Sequence, residues 1–263
     1  MITVLSNDQM THLPYERCGN GYPLVLVHGY LGGSQQWASE LISFSRSFDV
    51  IALNLAGYGA AHALSAPTEI SDHATAVLDT LDKLGIERFH LLGHSMGGMV
   101  VQQLVHQAPH RVDRLVLYGT GPLGLIPGRF ETMARSRERL AVDGLEPTAR
   151  RISATWLLER EASSAYEALA RLACTASAQA ADAGLWAMER WDGRAWLSAI
   201  EQTTLVMWGE HDRSYGWPQI EALWRGIPGA SLAVLPGCAH SAHLDRPELF
   251  QLLVRDFLST PSS

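Results

Sequence analysis

The sequence predicts an α/β fold, with a mostly parallel central sheet flanked by helices and interrupted once by a helical insertion. Three observations predict it. Short runs that are apolar at every position recur in the first half and again near the end. Such runs suit strands buried on both faces, as in a parallel sheet. Helical patterns lie between them, and strand–helix alternation gives βαβ units with right-handed crossovers. The alternation then stops at about Leu123 and resumes after about Leu197.

The expected strands of the first half are residues 24–27, 50–53, 89–92 and 115–118. Each is bounded by Gly or polar residues and is too short for a helix. Residues 70–84 carry Ile70, Ala74, Val77, Leu78, Leu81 and Leu84 on one helical face. Ser71 is the expected cap at the start of that helix and Gly85 at its end. Residues 96–107 read as a second helix, stopped before Pro109. After the loop 119–122, no strand-like run appears until residues 204–208. The intervening stretch is rich in Ala, Arg, Glu and Leu and holds Trp156, Trp186, Trp191 and Trp196. It reads as several helices. Residues 232–235 give a last strand and 247–258 a last helix, with Pro247 in its first turn. The tail beyond Leu258 is expected to fray. The division is therefore a core of residues 1–122 and 198–263 with an insertion of residues 123–197.

Length and composition bound the function. A chain of 263 residues allows one large domain, or one with a sizeable insertion. The apolar fraction is 47% and the charged fraction 18%, which excludes a disordered chain. A net charge of −7 with no basic block argues against nucleic-acid or anionic-membrane partners. Cys18, Cys174 and Cys238 are odd in number and widely spaced, which argues against a disulfide framework or a structural zinc site. Residues 1–12 lack the pattern of a signal peptide. No stretch reaches the ~18–20 apolar residues of a membrane span. The expectation is a soluble, cytoplasmic protein, and its oligomeric state is not legible.

The strongest local signal is Gly93-His94-Ser95-Met96-Gly97-Gly98, a G-x-S-x-G motif between an expected strand and an expected helix. Such a turn lifts the serine hydroxyl out of the sheet, and small residues at Gly93 and Gly97 permit close backbone approach. A serine needs a base, and the base needs an orienting acid. Trp208-Gly209-Glu210-His211-Asp212 follows one late strand and Pro236-Gly237-Cys238-Ala239-His240 the next. The order Ser95, Asp212, His240 puts all three at the carboxyl ends of strands, where open parallel sheets place their sites. The acid is Glu210 or Asp212. Asp212 is preferred because it sits deeper in its loop. The base is His240 or His243. His240 is preferred because the loop before it is short, and His243 reads as a neighbour. The loop at residues 119–121 offers no acid. The backbone N–H groups of Tyr30 and Met96 are the expected oxyanion hole, and His28 reads as a brace for the first of these turns.

With these motifs in hand, the chain resembles the α/β-hydrolase fold family. It carries H-G-x at 28–30, G-x-S-x-G-G at 93–98, G-x-x-D at 209–212 and G-x-x-H leading to P-E at 237–248. The likeness covers nearly the whole chain outside the insertion, which lies where the family places its helical cap. In detail it resembles small bacterial esterases, enol-lactonases, C–C bond hydrolases and non-haem peroxidase-like esterases. That resemblance implies covalent acyl transfer with no metal or organic cofactor, on a small ester, lactone or diketone substrate. There are departures. Asn54 and Ala61 stand where the family often has Asp and Ser. His94 and Ser241 stand where C–C hydrolases commonly have Asn and Trp.

The pocket is less legible. Trp156, Trp186, Trp191, Met133 and Met188 are candidates to line it, as are Arg213, directly after the proposed acid, and His243. Arg129, Arg150 and Arg151 are candidates to hold a substrate carboxylate. Two rival readings remain open. One is hydrolysis of a C–C bond in a vinylogous diketone acid from aromatic degradation. The other is a low-turnover receptor or regulator on the same fold.

Overall fold

The computed structural model describes residues 12–260. Seven strands form one sheet: β1 (Tyr15–Gly19), β2 (Tyr22–Val27), β3 (Phe48–Leu53), β4 (Phe89–His94), β5 (Val112–Tyr118), β6 (Thr203–Gly209) and β7 (Ser231–Leu235). Their order is β1-β3-β2-β4-β5-β6-β7. Neighbours are parallel throughout, except that β1 runs antiparallel to β3.

The apolar runs of β2 to β5, and most of β6, are buried on both faces, and their side chains alternate between two cores; β7, at the sheet edge, is buried only at Leu235. Val25, Val27, Ile51, Leu53, Leu91, Leu115 and Leu117 point to one face. Leu24, Leu26, Val50, Ala52, Leu92, Val116 and Tyr118 point to the other. This period of two is the pleat itself. Helices α2 (Ile70–Lys83) and α3 (Met96–Gln107) cover the first face, and α1 (Ala38–Phe44) and α10 (Pro247–Ser259) the second.

Between β5 and β6 the chain forms α4 (Met133–Asp143), α5 (Leu145–Ala154), α6 (Tyr166–Ala173) and α7 (Ala178–Arg190). Its one β-type contact among the described residues is the bridge Leu123↔Asp192. Helices α8 (Trp217–Gly226) and α9 (Ala242–Asp245) complete the set. No helix among the described residues is long and apolar enough to cross a membrane.

Several details depart from the sequence expectation. β1 carries Glu16 and Arg17, so no apolar run marks it. It is an edge strand, half-buried, and Arg17 reaches Asp49 of β3 through two hydrogen bonds of 2.8 and 2.5 Å. α1 and α9 have seven and four residues, too few to display a helical period. Ser71 does not cap α2. Glu69 holds that position, and the Ser71 hydroxyl turns to Asp72 instead. At the other end Gly85 ends α2 as expected, at φ 68°. Gly85 N–H donates to Asp82 O and Ile86 N–H to Leu81 O, both at 3.0 Å, which closes a Schellman motif. α10 continues through Ser259. The N-terminal segment examined for a leader lies outside the described residues up to position 11, as do residues 261–263 of the tail.

Candidate active site

Ser95 stands between β4 and α3 at φ 57°, ψ −120°. A residue with a side chain adopts this left-handed conformation at a cost on the order of 1–3 kcal/mol, and such strain collects at functional sites. The turn is held from both sides. Ser95 N–H donates to Tyr118 O at 3.0 Å, and Thr120 Oγ1 donates to Ser95 O at 2.8 Å. The flanking glycines are required by contact. A Cβ on Gly93 would lie 2.4 Å from Gly97 O, and one on Gly97 would lie 2.4 Å from Val27 O.

His240 and Asp212 meet from adjacent loops. His240 Nδ1 lies 2.8 Å from Asp212 Oδ2, and their side chains are 2% and 0% exposed. The other carboxylate oxygen, Oδ1, accepts the N–H groups of Ser214 (2.6 Å) and Tyr215 (3.1 Å). The two loops are joined by His211 N–H donating to Cys238 O at 2.8 Å. Glu210, the alternative acid, lies apart. Its side chain is 53% exposed and accepts Gly237 N–H. Gly119, at the end of β5, abuts His240: a Cβ there would sit 3.3 Å from His240 Nδ1.

Tyr215 lies between His240 and Ser95. Its ring stacks on His240 with centroids 5.7 Å apart. Its phenol lies by Ser95, and burial raises its pKa, partly offset by the Ser95 contact. Among the described residues no hydrogen bond joins Ser95 Oγ to the His240 ring.

A further histidine supports His240. His94 Nε2 donates to His240 O at 3.1 Å, and its ring lies 4.6 Å from that of His240. Burial, and then the neighbouring His240, hold His94 well below its usual pKa. His243 is a neighbour of His94 but not a wall of the cavity at Ser95. It is buried, bonded to the Tyr118 hydroxyl at 3.1 Å, and packed 4.9 Å from the Trp37 ring. Burial lowers its pKa to about 3.

The turn after β2 lies directly against the serine. A Cβ on Gly29 would meet Ser95 Cβ at 2.8 Å. Neither Tyr30 N–H nor Met96 N–H has a hydrogen-bond acceptor among the described residues. His28 fixes the turn. Its Nε2 accepts Leu55 N–H at 2.9 Å, so Nδ1 carries the proton and donates to Gly29 O at 2.8 Å. Burial holds His28 at a pKa of about 4, which preserves this neutral form. Asn54, where the family often has Asp, braces the neighbouring loops by accepting Ser34 N–H (3.0 Å) and Ala60 N–H (3.2 Å).

A cavity of about 20 Å³ opens at Ser95, room for one water-sized body. Its walls include Tyr30, Arg129, Met133, Trp156, Met188 and Tyr215. Of the aromatic candidates, Trp156 is a wall, with its ring 6.1 Å from that of His240. Trp186 is not. It lies between Arg137 and Arg190, at 3.8 and 5.1 Å from its ring. Trp191 turns to Gln103 and packs on Trp196. Arg213 is not a wall either. Its guanidinium donates to the carbonyls of Thr155, Leu157 and Leu158, tying the insertion to the Asp212 loop. Arg150 is engaged by Glu146 and Glu167.

Sequence reasoning missed Ser214 and Tyr215. The signal was present: both follow Asp212 on the same short loop. Among the described residues no group of three or more His, Cys, Asp or Glu is arranged to hold a metal ion.

Comparison with known proteins adds the following. A family profile described as "alpha/beta hydrolase fold" matches residues 22–247. A Pseudomonas putida protein named as a 2-hydroxy-6-oxononadienedioate/2-hydroxy-6-oxononatrienedioate hydrolase is 31% identical, over 94% of this chain and 91% of that one. A putative carbamate hydrolase of Pseudomonas savastanoi is 28% identical, over 90% and 93%. The crystal structure of a hydrolase from Pseudomonas aeruginosa superposes with a TM-score of 0.86, at 27% identity over 98% of each chain.

Proposed function

The chain belongs to the alpha/beta hydrolase fold family, and on that premise we propose that it is a serine hydrolase cleaving a small carboxylic ester or lactone. The observation that carries the proposal is the buried 2.8 Å contact between His240 Nδ1 and Asp212 Oδ2 beside a serine in a strained strand-to-helix turn. In the reaction, Ser95 Oγ attacks the substrate carbonyl and His240 Nε2 takes its proton. Asp212 holds Nδ1–H and stabilises the imidazolium. The bond between Ser95 and His240 tightens when substrate fills the site, as is common for catalytic hydrogen bonds.

The oxyanion lies between the amides of Tyr30 and Met96, each contributing about 3 kcal/mol. His240 then returns the proton to the leaving group, and water resolves the acyl-enzyme. These steps use no cofactor. Residues 123–197 act as a cap over the core formed by residues 1–122 and 198–263, and a cytoplasmic location is part of the same reading.

The relative named as a 2-hydroxy-6-oxononadienedioate/2-hydroxy-6-oxononatrienedioate hydrolase, at 31% identity, supports hydrolysis of a C–C bond in an oxo acid as a second reading. Short-chain 4-nitrophenyl esters test the first. Wild type should turn them over, Ser95→Ala should not, and intact mass should reveal an acyl adduct on Ser95. Neither turnover nor adduct on any ester or lactone would overturn it.

A further inference from the structure

Arg129 is a wall of the Ser95 cavity, and its guanidinium is only partly engaged. Its Nη1 donates to Glu131 O at 2.8 Å and to Ser136 Oγ at 3.1 Å. Those two bonds fix the guanidinium plane, which also lies over the Phe130 ring at 4.4 Å. A guanidinium has five N–H donors. Among the described residues its Nε and Nη2 donate to nothing, and it forms no ion pair.

The nearest carboxylate is spoken for. Glu131 is held by Arg151 at 2.8 Å, by Arg139 at 3.5 Å and by the Ser136 hydroxyl. Two guanidinium groups, those of Arg151 and Arg139, thus share that carboxylate, and Arg129 reaches only the Glu131 main-chain carbonyl. Burial lowers the pKa of Arg129, so its charge is held at a cost that a bound anion would relieve. The other walls beside it, Tyr30, Trp156, Met188 and Tyr215, carry no charge at neutral pH.

We propose that Arg129 receives a carboxylate of the substrate, through its free Nε–Nη2 edge, and so selects an ester or lactone that bears a free carboxylate. That edge presents two parallel N–H donors, the fork that matches a carboxylate. Ser95 and Arg129 wall one cavity with room for a single water-sized body. The carboxylate therefore lies only a few bonds from the scissile carbonyl once the wall has moved to admit it. The proposal rests on the serine-hydrolase reading, which it deepens.

Two substrate pairs and one binding measurement on the full chain test it. Acyl-side charge is read from 4-nitrophenyl hydrogen glutarate against 4-nitrophenyl pentanoate. Leaving-side charge is read from 4-butanoyloxybenzoate against phenyl butyrate. In wild type, kcat/KM should favour the charged member of one pair by roughly 10- to 100-fold, the range of a charge-assisted hydrogen bond. The ratio should fall to about 1 in Arg129→Met and recover in part in Arg129→Lys, which keeps the charge without the fork. Ratios near 1 for both pairs in wild type overturn the proposal, as does a preference that survives in Arg129→Met. Failure of the underlying reading looks different: no ester of either pair is cleaved in a Ser95-dependent way. In that event glutarate decides. A glutarate-induced rise in Tm in wild type that is lost in Arg129→Met keeps the carboxylate site, and no such difference removes it.

Discussion

Tyr30 donates its phenol to the carbonyl of Ala181 at 2.8 Å, so the turn beside Ser95 is bonded to a helix of the insertion. Tyr58 does the same to Ala180, also at 2.8 Å, and the two rings meet edge to face. Both phenols are buried, and burial raises both pKa values, so they stay protonated donors. Gly184 makes room for the pair: a Cβ there would meet the Tyr58 hydroxyl at 2.1 Å. Tyr30→Phe and Tyr58→Phe should each cost about 1 kcal/mol, because each removes one buried hydrogen bond to a carbonyl that keeps its own helical N–H partner. Urea unfolding measures the loss. Limited proteolysis should cut within residues 123–197 faster in the double variant than in wild type.

Asp212→Asn should lower kcat by roughly 10³- to 10⁴-fold with the fold intact, as expected when an orienting acid is replaced by an amide that favours the wrong tautomer. Oδ1 already accepts two backbone N–H groups, and an amide oxygen can keep those bonds. Glu210→Gln should stay within a few-fold of wild type. Steady-state rates on one ester separate the two, and a large loss in Glu210→Gln would transfer the role of acid to Glu210.

The inner strands were legible because their apolar runs are buried on both faces, and the run at 232–235 marked β7 although that edge strand is buried only at Leu235. β1 was not, since Glu16 and Arg17 face an exposed edge. Ser95, Asp212 and His240 were legible because each follows a readable strand, and strand ends in a parallel sheet converge. The pocket was not. Trp186, Trp191 and Arg213 lie near the site in sequence, yet helix crossing turns the two tryptophans toward Arg137 and Gln103, and Arg213 spends its donors on main-chain carbonyls. Side-chain direction within the insertion depends on packing between helices, which local pattern does not encode.

Two glycines should respond differently to alanine. At Gly93 the new methyl meets Gly97 O at 2.4 Å and Val101 Cγ2 at 2.5 Å. Main chain on one side cannot yield cheaply, so Gly93→Ala should destabilise by roughly 1–3 kcal/mol or more and displace Ser95. At Gly85 nothing lies within 4 Å, and only the φ of 68° opposes a side chain. Gly85→Ala should cost about 1 kcal/mol and leave turnover unchanged. Thermal melts and kcat on one ester read both.

The buried histidines set a pH dependence whose sign follows from their shifts. Burial holds His28 and His73 at about 4 and His243 at about 3, and lowers His94 strongly. Each is neutral when folded at pH 5.5 and mostly protonated when unfolded, since an unperturbed imidazole titrates near 6.5. Their stabilisation is complete above pH 6.5 and is lost as pH falls toward 4. Glu40 acts in the opposite sense. Burial raises its pKa to about 7, with only Oε1 bonded, to Gln251 at 3.0 Å. It stays protonated in the fold at pH 5.5 and releases its proton on unfolding. Burial lowers His90 to about 4 as well, and five histidines against one carboxyl leave a net uptake of between roughly three and four protons on unfolding at pH 5.5. Calorimetry in buffers of differing ionisation enthalpy measures that number directly. Glu40→Gln should raise it by about one, because the release disappears while the histidine uptake stays. An uptake of zero, or stability that rises from pH 7 to pH 5, would contradict the neutral histidine cluster behind the site.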